Sequence, residues 1–353
     1  MPSWIRAAVA AGLLLVAAGA SGCSSAGSTS SAPKSSEPTV CDAISVTDKV
    51  LPSVVTISAT NGTAVNTGTG EVIRTDGHIV TNNHVVSIAA ATGGSVSVLF
   101  SNGVRLPATI TGRDPPTDLA VLKVESGGSL PAVSLGSSST LAVGQPVVAL
   151  GAPLGLANTV TTGIVSALNR TVEVPSDNGK TALLISAVQT DAAINPGNSG
   201  GALTDCAGQL IGVTTAGATI PDASGQATGG SIGLAFAIPV EVAKFVSDEL
   251  ISAGTVAHSY FGVELVQVSP AAAKQSGKPE GFYVAAVVPG GPAEAAGLKA
   301  GDVITQVEGK PATNPNELAA ITLTKKPGET VKITYVRDGQ SVETTITLAA
   351  PPP

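Results

Sequence analysis

The sequence predicts a mainly β protein with more than one folded module. Three observations predict it. β-branched runs recur at short intervals from Val54 onward. Glycine and proline are abundant, at 41 and 24 of 353 residues. Turn dipeptides such as Asp76-Gly77, Asn102-Gly103 and Asp338-Gly339 separate the runs. The length exceeds one ordinary domain and suits two or three.

Taken in order, Val54-Val55-Thr56-Ile57 is β-branched and reads as a strand. Gly70-Glu71-Val72-Ile73, the Asp76-Gly77 turn and Ile79-Val80-Thr81 form a hairpin signature. Val96 to Phe100 leads into Asn102-Gly103, a second hairpin signal. Ala120 to Val124, Pro146 to Leu150, Leu210 to Val213 and Gly233 to Ile238 are further strands, and short strands at this spacing indicate barrels or sandwiches. A helix is expected after Pro239, because Val240, Ala243, Val246 and Leu250 share one face and Gly254 offers a stop. A second module runs from about Ser259 to Leu348 and ends in two strands joined at Asp338-Gly339.

The first residues read as an export signal. Arg6 supplies positive charge, Ala7 to Gly19 is apolar but short for a bilayer span, and Ala20-Ser21-Gly22 precede Cys23. This placement resembles a bacterial lipobox, with Ala20 where leucine is usual. It implies a lipidated Cys23, a membrane anchor and a location on the outer face of the cell membrane; cleavage of an ordinary signal, giving a secreted or periplasmic protein, is the alternative. Ser24 to about Pro38 is rich in Ser, Ala, Thr and Pro and cannot bury apolar surface, so a flexible tether is expected over residues 23–44. Of three cysteines, Cys41 and Cys206 remain as an even pair in an oxidising compartment, which predicts one disulfide; two free thiols are the alternative. The net charge of −7 offers no basic face for nucleic acid. Scattered histidines, no Cys-x-x-Cys pair and no Walker-type loop predict no metal, no cofactor and no need for ATP.

The chemistry concentrates in Asn195-Pro196-Gly197-Asn198-Ser199-Gly200-Gly201. Three glycines and two asparagines around one serine make a tight turn that exposes the hydroxyl and turns backbone N–H groups outward. The N–H groups of Gly197, Asn198 and Ser199 are candidates for an oxyanion hole, with Gly197 and Ser199 the natural pair. A serine hydroxyl needs a base at neutral pH. Of the three histidines, His78 lies in a turn and is expected to be solvated, and His258 lies between modules and is expected at the surface. That leaves His84. Its orienting carboxylate is expected to be Asp118, ahead of an apolar strand, with Asp114 the competitor held in a turn by Pro115 and Pro116.

The order His, Asp, Ser and the surrounding segments resemble the HtrA family of trypsin-like serine proteases. The matching segments are Thr81 to Val86, Thr117 to Leu122, Gln189 to Gly201, Gly151-Ala152-Pro153-Leu154-Gly155 and Gly233 to Pro239. The resemblance implies a chymotrypsin-like double six-stranded β-barrel with the site between barrels, followed by an α+β PDZ domain. It implies boundaries of 1–22 for the signal, 45–252 for the protease and 259–349 for the PDZ domain. It implies that Tyr260-Phe261-Gly262-Val263 holds a peptide's terminal carboxylate while the peptide adds to the sheet edge. It implies a specificity pocket of Ala193, Ile194, Thr214, Thr215 and Ala216, suited to small or medium aliphatic side chains, and a homotrimer. Glu71 departs from the family, which usually has a small or aliphatic residue there, and is expected near the cleft floor, where it would perturb local charge. The expected activity is endopeptidase action on misfolded or exported polypeptides in the cell envelope. A chaperone or peptide-binding scaffold with weak or latent proteolysis is the alternative.

Overall fold

A computed structural model describes residues 41–152, 159–177, 181–217 and 230–352. The signal segment, Cys23, most of the tether and Pro153-Leu154-Gly155 lie outside them. Among the described residues no helix is long and apolar enough to cross a membrane.

Helix α1 (Ala43–Val50) opens the fold, two residues inside the segment expected to be a tether. Local chemistry explains the difference. Asp42 caps the helix by accepting from the Ile44 N–H at 3.1 Å, Cys41 is joined to Cys206, and Val46 and Val50 are buried.

Strands β1 (Val54–Asn61), β2 (Ala64–Arg74) and β3 (His78–Asn82) are followed by a single helical turn, α2 (Asn83–Val86). Then come β4 (Ser95–Phe100), β5 (Arg105–Asp114) and β6 (Leu119–Val124). These six strands close into a barrel in the order β1-β2-β3-β6-β5-β4. Its interior is filled by alternate residues, among them Val55, Ile57, Val72, Ile79, Val98 and Leu122.

The second sheet comprises β7 (Ser134–Leu135), β8 (Pro146–Gly151), β9 (Thr159–Pro175), β10 (Thr181–Thr190), β11 (Ala202–Thr204), β12 (Gln209–Gly217) and β13 (Ala235–Pro239). Its order is β11-β8-β9-β10-β13-β12-β7, and β11 also pairs with β12. Six strands therefore close a second barrel, with β7 a short parallel addition on β12. Helix α3 (Val240–Ala253) buries Val242, Ala243, Val246 and Leu250 against both barrels and ends at Gly254 with φ 74°.

The C-terminal module comprises β14 (Val263–Val268), α4 (Pro270–Ser276), β15 (Gly281–Val287), α5 (Pro292–Ala295), β16 (Val303–Val307), β17 (Lys310–Pro311), α6 (Pro315–Thr324), β18 (Thr330–Arg337) and β19 (Gln340–Thr347). Its sheet runs β14-β15-β16-β18-β19, with β14 at the edge. Phe282, Val284, Leu298, Ile304 and Ile333 form its core. The fold is mainly β, two barrels followed by an α+β module.

His258 corrects one expectation. It is not a surface residue: its side chain is 19% exposed, and its Nε2 lies 2.8 Å from Asp114 Oδ1. The linker after α3 thus folds back on the turn that follows β5. The Ser259 N–H donates to Thr322 O, and Lys326 pairs with Glu249 at 2.6 Å, so α6 and α3 are joined as well. His78 is likewise not solvated. It is 13% exposed, with Nδ1 2.7 Å from Asp76 Oδ1, and this bond holds the Asp76 carboxyl below its ordinary value.

Candidate active site

β3 ends at Asn82, and α2 then turns His84 outward while Val85 and Val86 pack into the first barrel. The chain after β5 crosses a turn at Pro115 to Thr117 and reaches Asp118 in the left-handed region, φ 55° and ψ 39°. A non-glycine residue there costs about 1–3 kcal/mol and is held by its surroundings. Asp118 O accepts from the Asn83 N–H and from Asn82 Nδ2, both at 3.0 Å. The strained turn places the carboxylate, 0% exposed, against His84.

Asp118 Oδ1 accepts from the His84 backbone N–H at 3.0 Å, and His84 Nδ1 lies 2.9 Å from Oδ2. An ionised carboxylate beside Nδ1 requires the proton there, so Nε2 is left as the acceptor. Thr215 Oγ1 donates to Asp118 Oδ2 at 2.7 Å. Its carbonyl oxygen accepts from Ser199 Oγ at 2.9 Å. Thr215 therefore joins the serine to the carboxylate that orients the imidazole. No hydrogen bond joins Ser199 Oγ to His84 in this structure. The neighbour of His84, Val85, and the Ser199 carbonyl both pack on Gly68: a Cβ there would lie 2.5 Å from Val85 and 3.0 Å from Ser199 O.

The turn around Ser199 is pinned on its inner side. Asn198 O accepts from Thr214 Oγ1 at 2.8 Å and from the Gly201 N–H at 2.9 Å. Because C=O and N–H of one peptide plane point oppositely, the Ser199 N–H is directed outward. The N–H groups of Gly197 and Ser199 have no partner among the described residues, so both are free to meet an oxyanion. The Asn198 N–H is not: it donates to Asn195 O at 2.9 Å, which removes it from the expected oxyanion set. Gly200 has φ 85°, and a Cβ there would lie 2.2 Å from Thr69 O, so only glycine fits.

The expected specificity pocket is only partly assembled from the expected residues. Ala193 is half-buried and its carbonyl accepts from Thr161 Oγ1 at 3.1 Å. Ile194 instead packs into the second barrel with Ala192, Val165 and Leu203, because burial there removes its apolar side chain from water. Thr214 and Thr215 turn inward to the serine turn and to Asp118. The side chain of Ala216 lies outside the described residues. Thr215's tie to the carboxylate had no signal in the sequence.

Glu71 lies at the seam between barrels, paired with Val54 on one side and Val80 on the other. It is 0% exposed, and neither carboxyl oxygen has a partner among the described residues. Burial pushes its pKa well above the ordinary 4.5. Burial therefore favours its neutral form and works against the local charge expected of it.

In the C-terminal module a groove of about 350 Å³ runs between β14 and α6, lined by Tyr260 to Val263, Leu265, Leu318 and Thr322 among others. The Tyr260 N–H is used by Ala349 O, whereas those of Phe261 and Gly262 have no partner among the described residues. Phe261 itself is buried in the module's core. Gly262 has φ 72° and abuts Pro292. No group of His, Cys, Asp and Glu suited to a metal occurs among the described residues.

Comparison with known proteins agrees with this geometry. The family model described as trypsin-like peptidase domain matches residues 68–213, and that described as PDZ domain matches residues 259–348. The chain is 44% identical over 295 residues to the serine protease PepD of Mycobacterium tuberculosis, covering 82% of this chain and 62% of that one. It is 40% identical to a probable periplasmic serine endoprotease, DegP-like, of Halomonas elongata, covering 80% and 56%. The chain thus spans about three fifths of the length of these curated relatives. Among solved structures, an HtrA-type protease AlgW with tripeptide matches at 36% identity and a TM-score of 0.69, covering 88% of this chain and 98% of that one.

Proposed function

The chain belongs to the HtrA-type serine protease family, and from that premise we propose that it is a serine endopeptidase in which His84, Asp118 and Ser199 form the catalytic triad. One observation carries the reading. The His84–Asp118 pair, bonded at 2.9 Å, and the Ser199 turn with its two free N–H groups are joined through Thr215.

The chemistry follows from these positions. Ser199 rotates about χ1 from Thr215 O toward Nε2 of His84. Nε2 takes the hydroxyl proton as Oγ attacks the substrate carbonyl carbon. The carbonyl electron pair moves onto its oxygen, where the N–H groups of Gly197 and Ser199 stabilise it. Nε2 then passes the proton to the leaving nitrogen, the C–N bond breaks and an acyl-enzyme remains. Water repeats the cycle and frees the acid. Asp118 keeps the tautomer correct and balances the imidazolium, and Thr215 and the His84 N–H keep Asp118 in place.

The substrates would be polypeptides, misfolded or exported, with small or medium aliphatic residues favoured at the pocket near Ala193. The groove between β14 and α6 supports binding of C-terminal or extended peptides, because β14 is an edge strand and the Phe261 and Gly262 N–H groups can take a terminal carboxylate. The relatives named periplasmic support export of this chain too. Lipidation of Cys23, a signal over 1–22, a protease module over 45–252, a PDZ module over 259–349 and a homotrimer are parts of the same proposal; N-terminal peptide mass and light scattering test the first and last.

One observation favours a second reading, a peptide-binding chaperone or scaffold with weak or latent proteolysis. Ser199 Oγ rests on Thr215 O and not on the imidazole. Casein cleavage with and without C-terminal peptides separates the two. Ser199→Ala should abolish cleavage in both conditions, and undiminished cleavage in that variant would refute the triad.

A further inference from the structure

Thr69 sits on β2 in a Gly-Thr-Gly segment, is fully buried and belongs to the first barrel. Its hydroxyl and its N–H reach across to the second. Its hydroxyl donates to Gly197 O at 2.7 Å and accepts from the Ala152 N–H at 2.9 Å. With one proton, the hydroxyl has a single consistent direction, donating to the carbonyl and accepting from the amide. Its own N–H donates to Ser199 O at 2.9 Å. Its carbonyl oxygen accepts from Thr81 Oγ1 at 2.6 Å, which ties β2 to β3, the strand that leads to His84.

These bonds fix specific peptide planes of the serine turn. The plane between Gly197 and Asn198 is held at both ends, by Thr69 Oγ1 on Gly197 O and by Asn195 O on the Asn198 N–H. The plane between Ser199 and Gly200 is held by the Thr69 N–H on Ser199 O and by Thr214 O on the Gly200 N–H. The plane between them carries the Ser199 N–H and is held by Thr214. Thr214 belongs to the same barrel as the serine, whereas Thr69 belongs to the barrel that carries His84 and Asp118.

We propose that Thr69 is a positioning residue that sets the serine turn against the His84–Asp118 pair by holding the two peptide planes that flank the Ser199 N–H. The proposal rests on the reading of Ser199 as nucleophile. The hydroxyl acts through the turn and touches no substrate. Its contribution is therefore to the transition state, where a small misplacement of Oγ or of the N–H donors is felt, and not to ground-state binding of peptide.

The test compares the full chain with Thr69→Val, which keeps shape and removes the hydroxyl, and with Thr69→Ser, which restores it. Removing the hydroxyl leaves Gly197 O and the N–H of buried Ala152 without this partner, and kcat on a short peptide substrate should fall about 10- to 100-fold with KM unchanged. Affinity for a peptide boronate, which forms a tetrahedral adduct on Ser199, should fall by the same factor, while affinity for the cleaved product should not change. Thr69→Ser should recover most of the kcat. If Thr69→Val does not fold, Thr69→Cys, with a weaker donor, replaces it and should show the same split with a smaller loss.

Wild-type kcat within twofold of Thr69→Val, equal losses of boronate and product binding, or failure of Thr69→Ser to recover kcat overturns the proposal. Failure of the underlying reading is visible separately, as a wild-type chain whose cleavage survives Ser199→Ala.

Discussion

Raising the pH should destabilise this protein through Glu71, and removing that carboxyl should abolish the effect. The side chain is 0% exposed at the seam of the barrels, between Val54 and Val80, with both oxygens unpartnered among the described residues. Burial raises its folded-state pKa well above 4.5, whereas the unfolded chain ionises near that value. Below pH 4.5 both states hold the proton and the group costs nothing through ionisation. Above it the folded state alone keeps the proton, so stability declines by about 1.4 kcal/mol per pH unit until the folded-state pKa is reached. Glu71→Leu is apolar and of similar size, fits beside two valines and does not titrate. Denaturant melts of both proteins from pH 5 to pH 8 measure the difference. Carboxylates held low by their bonds, such as Asp248 with Lys244 and Arg74, contribute to both proteins and cancel. The variant's stability relative to wild type should rise as the pH is raised above 4.5. A pH-independent difference, or a variant less stable throughout the range, refutes the reasoning.

Two further outcomes follow from the structure. The bond between Cys41 and Cys206 closes a sequence separation of 165 residues, for which chain entropy gives about 5 kcal/mol; the double substitution Cys41→Ser and Cys206→Ser should lower the denaturant midpoint markedly, and an unchanged midpoint would show that the bond contributes nothing. Leu318 is buried on α6 and lines the groove beside β14; Leu318→Asp should weaken binding of a C-terminal peptide at least tenfold, by loss of apolar burial and of an unpartnered carboxylate's hydration, while leaving cleavage of a short peptide unchanged.

Much of the fold was legible because period and punctuation agree. The Asp76-Gly77 and Asn102-Gly103 turns fall where β2 meets β3 and β4 meets β5, and the helix after Pro239 stops at Gly254. The long pair β9 and β10 escaped, because its register shifts at Leu184, Ala187 and Gln189 and its threonine-rich strands lack clean alternation. Helix α1 escaped because it follows a polar tract and is held by a cap and a distant cysteine. Helix α6 escaped because it opens on Pro315-Asn316 and ends in β-branched residues that favour strands.

The candidate site was legible by residue type and not by contact. Ser199, His84 and Asp118 follow from which chemistry needs which side chain. Thr215 and Thr69 could not be found that way, since their hydroxyls matter only because distant strands bring them to Asp118 and Gly197. The same holds for His258, whose partner Asp114 is 144 residues away in sequence. Ile194 shows the converse: adjacency to the serine turn placed it in a pocket, and burial in the barrel took it out.

The most direct measurement is the rate at which a fluorophosphonate labels the purified chain, with the adduct mapped by peptide mass. The account predicts one adduct, on Ser199, and a rate roughly a thousandfold lower or less in His84→Ala. An adduct on another residue, or equal labelling rates in the wild type and His84→Ala, would contradict it.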